Sequence, residues 1–205
     1  ENAIRVADMA ECHDEQGVSA SWRECEGDIL MEFAHCAIAN DLSVVAAAGD
    51  DATSLEEDVV EGLLFRSGRP VLLCPEGGLS ETPKRVVVAW NGSEEAARAV
   101  SASLSLLCDA ETVKVITVRK TRTPMINTDE ITAYLRLHGV EAAAAEIEVT
   151  GGESATERLD QEIRGANPDL VVMGAYSHSR WREAVLGGFT RHMIHRAKIP
   201  VLMMH

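Results

Sequence analysis

The sequence of 205 residues predicts an α/β protein with a doubly wound parallel sheet, present in two tandem copies, and three observations carry that expectation. Residues 84–205 alternate five apolar, β-branched runs with four amphipathic stretches, the pattern of strand–helix–strand crossovers. Within them, the run Leu170–Met173 breaks at Gly174, crosses a polar loop and enters a helix at Gly187-Gly188. Three segments of the first 80 residues also recur in the same order further along the chain.

The elements of the second part follow from periodicity. Arg85 to Trp90 reads as a buried strand, and Asn91-Gly92-Ser93 leads into a helix capped by Ser93, with Ala96, Ala97, Val100, Leu104 and Leu107 facing inward. Val113–Val118 is a strand. A helix runs to His138, Gly139 ends it, and Val140–Val149 is the next strand. Helix 154–164, strand 170–173, a helix with Phe189, Met193, Ile194 and Ala197 on one face, and strand Val201–Met204 complete the series.

The first part reads as a helix over 1–17 and a weakly alternating strand over Val18–Glu26. A helix capped by Asp28, a strand over Asp41–Ala46, a helix over Leu55–Ser67 and a strand over Val71–Cys74 follow. Asp41-Leu42-Ser43-Val44-Val45 parallels Asp169-Leu170-Val171-Val172; Arg69-Pro70-Val71-Leu72-Leu73 parallels Ile199-Pro200-Val201-Leu202-Met203; and Gly17-Val18 parallels Gly139-Val140. The first copy has no counterpart to 84–119. The expected organisation is therefore an incomplete first domain at 1–76, a Pro/Gly linker at 77–83 and a complete second domain at 84–205.

Composition narrows the function classes. No apolar run reaches the roughly 18 residues of a membrane span. The formal charge of −14 lies wholly in residues 1–82, where 18 acids face four bases, and this argues against nucleic acid as a partner and for a solvated acidic face. The five cysteines form no metal spacing and read as buried thiols in a reducing, cytoplasmic setting. The opening at Glu1, without Met, leaves a secretory address open.

The chemistry gathers at the carboxyl ends of the strands, where open parallel sheets bind ligands. Helix-start N–H groups beside Gly187 and Gly188 suit phosphate, and Arg180, Arg182, Arg191, Arg196 and Lys198 face one acid, Glu183, between His178 and Lys198. The alternative is that these glycines serve only turns and packing, while Arg196 and Lys198 complement a helix C-terminus. Trp90 suits either a purine face or the core. Ser177 and Thr190 are hydroxyl donors for phosphate, and His178 and Arg180 are phosphate contacts or solvated loop residues. His192 and His195 lack a third ligand in the sequence, so no metal site is predicted. No catalytic set is evident.

The spacing Gly174, Ser177, Gly187, Gly188 resembles the nucleotide-binding pattern of universal stress proteins: glycine, two residues, glycine, nine residues, glycine, then serine or threonine. Ser177 stands at the second glycine and Gly188 at the final hydroxyl residue, and the ending Ile199–Met204 is similar to that family's closing strand. Position 91, an aspartate in the family, is Asn91 here. The resemblance implies a Rossmann-like fold of the adenine-nucleotide alpha-hydrolase type and a stress-response regulator that is not an enzyme. It places ATP or AMP in the second domain, with the base near Ala89, Trp90 and Asn91 and the phosphates on the Gly187-Gly188 helix start; Val118, Met173, Gly174, Ser177, His178, Phe189 and Thr190 complete the expected cofactor-binding residues. It also implies self-association through the closing strand. A scaffold without nucleotide stays open beside that reading, with a slow ATP hydrolase a distant third.

Overall fold

The computed structural model describes residues 12–13, 19–20, 24, 26–47, 54–76, 78–79, 81–120, 127–150, 152–176 and 188–205. Near the start, β1 (Cys12–His13) pairs antiparallel with β2 (Ser19–Ala20). Cys12 and His13 thus lie in a strand, where the spacing of Ile4, Ala7, Met9 and Cys12 predicted a helix over 1–17; the rest of that expectation lies outside the described residues. Backbone pairing of Cys12–His13 with Ser19–Ala20 outweighs a helical pattern of only four apolar positions.

The remaining strands make one seven-stranded sheet. In chain order they are β3 (Ser43–Ala46), β4 (Val71–Cys74), β5 (Arg85–Ala89), β6 (Thr112–Lys120), β7 (Ala142–Val149), β8 (Leu170–Gly174) and β9 (Val201–Met204). Their spatial order is β3-β4-β9-β8-β5-β6-β7. All pairings in this sheet are parallel except β4 with β9, where Leu72 faces Leu202. That antiparallel seam joins the two parts of the chain through their closing strands, so the apolar Val201–Met203 run is flanked on both edges.

Among the described residues the helices are α1 (Ile29–Ile38), α2 (Ser54–Arg66), α3 (Glu94–Ala102), α4 (Leu104–Cys108), α5 (Thr128–Leu137), α6 (Ala155–Ala166) and α7 (Gly188–Arg196). Strand alternation divides the core in two. Val87, Ala89, Ile116, Val118, Val171 and Met173 turn to the layer that holds α2, α6 and α7. Val86, Val88, Val113, Val115, Leu170 and Val172 turn to α3, α4 and α5. Burial on both faces is what continuous Val-rich runs in a parallel sheet require.

Local chemistry sets the helix boundaries. Asp28, Ser93, Asn127 and Ser154 each accept a backbone N–H in the following first turn. The helix expected to run unbroken through Leu104 is divided at Ser103. There the hydroxyl donates to the Val100 carbonyl and the Ser103 N–H is shared between the carbonyls of Ala99 and Val100. Glu95 and Ala99 take the inward face and Ala97 turns out to solvent.

At the amino end of the sheet, Asp169 ties β8 to β5. Its carboxylate accepts the N–H groups of Arg85 and Lys84, at 2.9 and 3.1 Å, and pairs with the Arg85 guanidinium. The Arg85 N–H first, then that of Lys84 and the arginine charge, hold its pKa below the ordinary 3.8. A carboxylate with a lowered folded pKa stabilises fully above its unfolded value and loses that contribution as pH falls through the folded one. Asp169→Asn is expected to lose about 1 kcal/mol at pH 7, a modest figure because the pair is solvated. Urea titrations should show wild type and variant converging as pH drops below 3.8.

Candidate functional site

The order β7-β6-β5-β8-β9 reverses direction at β5: the chain moves outward to β6 and β7, crosses back to β8 and continues to β9. The crevice beyond the carboxyl ends of β5 and β8 is the position where such sheets take ligands. Residues just past β5 occupy it. Asn91 is buried, its Oδ1 accepts the Ser93 N–H at 3.1 Å, and its Nδ2 has no hydrogen-bond partner among the described residues. An amide hydrogen so placed is a donor awaiting an acceptor.

Ala89, Val118, Met173 and Phe189 come together as one apolar cluster on the α6–α7 side, all buried. Thr190 is buried in the first turn of α7, where its Oγ1 accepts the Tyr176 N–H at 3.4 Å. Gly188 is exposed as the first residue of that helix. Trp90 goes to the other layer. It packs with the cluster beneath α3 and α5, its backbone N–H donating to the Ile116 carbonyl, while its buried indole Nε1 has no partner among the described residues. Thr117, on the same face by alternation from Val113 and Val115, also keeps a buried Oγ1 without partner. Ser177, His178 and Gly187 lie outside the described residues.

Gly174 is explained by packing. A Cβ there would sit 2.5 Å from the Ala96 nitrogen and 2.8 Å from the Glu95 carbonyl carbon, so the first turn of α3 lies directly against the strand. The space that a motif glycine leaves for a ligand is, on this side, filled by backbone.

Three ionisable side chains of α7 reach acids on other helices. Arg191 Nε and His195 Nε2 each lie 3.3 Å from a carboxylate oxygen of Glu57 on α2, and His192 Nε2 lies 3.3 Å from Asp160 on α6. The two histidines therefore reach different acids. Beside them the Tyr176 hydroxyl donates to Glu61 at 2.6 Å; burial first, and that acceptor second, push its pKa upward, so the phenol stays protonated. Phe65 of α2 packs its ring 5.2 Å from Tyr176 and 4.4 Å from His205. Tyr176 holds this place with φ +50°, a left-handed backbone unusual for an aromatic residue.

Acids expected to form a solvated face thus include two, Glu57 and Glu61, that bind the second half of the chain. Their helical spacing, four apart on one face of α2, was the available signal. The cysteines also differ from expectation: Cys36 and Cys74 are only partly buried and Cys108 is exposed, where its thiol lies 3.5 Å from the His138 carbonyl. Helix α4 is short, five residues, and buries Leu107 rather than Cys108 at its end. A groove of about 280 Å³ lies at the opposite end of the sheet, lined by Arg85, Val87, Lys114, Ala166 and Pro168. It faces the amino ends of β5 and β6, away from the switch point, and has no convergent polar set.

The strand order and the two helical layers define an open, doubly wound α/β protein. The model of the universal stress protein family matches residues 82–205. A universal stress protein of Synechocystis sp. is 30% identical over 187 residues, which cover 87% of this chain and 60% of that protein. The chain thus spans less than two thirds of that relative's length. A universal stress protein structure from Archaeoglobus fulgidus is similar at a TM-score of 0.65 and 20% identity, over 87% of this chain and 65% of the other. A functionally unknown protein from Pseudomonas aeruginosa PAO1 matches at 0.53 and 15%, over 87% and 68%. This chain belongs to the universal stress protein family.

Proposed function

We propose that the protein is a stress-response regulator that binds an adenine nucleotide, ATP or AMP, in a complete second domain at 84–205. A partial first domain at 1–76 is its structural partner across the seam of closing strands. It acts by binding rather than by turnover, in the cytoplasm. The observation that supports the reading most is the buried Asn91 Nδ2 without partner at the sheet's switch point. A carboxamide there suits the ring nitrogens of adenine or a ribose hydroxyl. Phosphates would follow the start of α7 at Gly188, where helix N–H groups favour anions.

A second reading, a scaffold that works without nucleotide and assembles through its own surfaces, is favoured by the engagement of Arg191 with Glu57 and of His192 with Asp160. Glu57 occupies a guanidinium, and Asp160 an imidazole, that a phosphate would otherwise use.

The deciding experiment is mass analysis of small molecules released on denaturation, followed by calorimetric titration of ATP and AMP into wild type and Gly188→Trp. A Cβ at Gly188 has Thr156 Oγ1 at 3.6 Å as its near neighbour, so the fold should accept the ring while the helix start is covered. Binding by wild type and its loss in the variant, with thermal stability kept, supports the nucleotide reading. An empty protein giving no heat at millimolar nucleotide overturns it and leaves the scaffold.

A further inference from the structure

Three residues of α2, each about one turn from the next, touch three elements of the second half. Glu57 reaches α7, with Arg191 Nε 3.3 Å from one carboxylate oxygen and His195 Nε2 3.3 Å from the other. Glu61 takes the Tyr176 hydroxyl at 2.6 Å, just past β8. Phe65 packs on Tyr176 and on His205, just past β9. Residues four apart share a helix face, so one stripe of α2 makes all these contacts.

The crevice and the start of α7 converge through the strand ladder. Ala89 lies beside Met173, so two residues on, Asn91 comes abreast of Ala175. The next residue, Tyr176, donates its N–H to Thr190 Oγ1 in the first turn of α7. Asn91, whose buried Nδ2 has no partner among the described residues, and the first turn of α7 thus meet around Tyr176.

Arg191 is the fourth residue of α7, about 4.5 Å along the axis from Gly188. Helical side chains lean towards the N-terminus, so an extended arginine here reaches the helix start. Its side chain is 68% exposed, and a solvated ion pair of this kind is given up readily for a better partner. His195 lies one turn further from the start and stays within reach of Glu57 alone.

We infer, resting on the nucleotide reading of this crevice, that Arg191 is an exchangeable group. Without ligand it pairs with Glu57 of the first half. With phosphate at the start of α7 it turns back to the phosphate and leaves Glu57 to His195. Glu57 is therefore an internal competitor of the ligand: the first half weakens binding by the second and registers its occupancy through the released carboxylate. A guanidinium meets phosphate through two parallel N–H···O bonds, where Glu57 takes its Nε at 3.3 Å, so the exchange runs towards the ligand. The coupling is reciprocal. Whatever draws Glu57 from Arg191 raises phosphate affinity by the factor with which phosphate weakens the hold of α2 on α7.

The test is calorimetric titration of ATP and, separately, of pyrophosphate into the full chain and its variants. Glu57→Gln should bind both about 3–10-fold more tightly than wild type. Asp58→Asn, an equal change of charge at an exposed neighbour on α2, should bind as wild type does. In an Arg191→Gln background, Glu57→Gln should bring no gain. Equal or weaker binding by Glu57→Gln would overturn the inference. So would a gain that Asp58→Asn shares or that survives Arg191→Gln, because the acid then acts through general charge alone. The nucleotide reading fails separately. Pyrophosphate binding that responds to Glu57→Gln, with ATP bound no better, keeps the exchange and removes the adenine site; ATP binding indifferent to Glu57 does the reverse. A chain that binds neither anion in any variant overturns both.

Discussion

Gly174→Ala should be among the most damaging single-methyl changes in this protein, with an expected loss of roughly 3 kcal/mol. The added carbon would meet backbone, at 2.5 Å from Ala96 N, 2.8 Å from Glu95 C and 2.9 Å from Ala96 Cα. A flexible side chain can swing aside; a helix turn tied by Ser93 Oγ to the Ala96 N–H cannot without shifting α3 as a whole. The strand is equally constrained, because β8 is paired on both edges. Equilibrium urea unfolding should show a lower midpoint at an unchanged slope. The control is Gly165→Ala, near the end of α6, where a Cβ has no neighbour within 4 Å and helix propensity predicts a gain of about 0.5–1 kcal/mol. Equal effects at the two glycines would refute the packing account and return Gly174 to a role in the ligand crevice.

That glycine also shows what a sequence conceals. In the sequence, Gly174 is a loop glycine at a strand end, equally suited to a turn, a ligand or a helix, and only the distance to α3 decides among them. The seven strands of the main sheet were legible because each is an apolar or alternating run bounded by Gly, Pro or polar residues, from Ser43–Ala46 to Val201–Met204. Even β7, with its run of alanines that favours a helix, was marked as a strand by Gly139 before it and the Ile147, Val149 alternation at its end. What stayed hidden depends on long-range partners. Nothing local says that Trp90 turns to one layer while Ala89 turns to the other with the candidate site, or that Glu57 meets Arg191 and His195 from 134 and 138 residues away. The division of the helix at Ser103 was local but weak, a single hydroxyl competing with the helix ladder.

Phe189→Ala should cost about 4 kcal/mol, the usual range for emptying an aromatic site in a closed core. Phe189 is fully buried at the second position of α7, in the cluster with Ala89, Val118 and Met173, and stacks its ring 6.0 Å from that of His192. It sits one residue after Gly188, so it anchors the helix start where phosphate is proposed to lie. Its loss would loosen that start even in molecules that stay folded. Thermal melts should show a fall of roughly 10 °C, given about 2–4 °C per kcal/mol for a domain of this size. Any loss of nucleotide binding in this variant would then be uninformative about contact, because the whole cluster lies below the candidate crevice as core. Contact is read instead at the two positions the core does not own: Gly188, where a tryptophan would cover the helix start, and Asn91, whose buried amide hydrogen lacks a partner. If Phe189→Ala melts within 2–3 °C of wild type, less than about 1 kcal/mol has been lost. The apolar cluster is then looser than its burial implies, and the start of α7 is held by Thr190 and the acids of α2 instead.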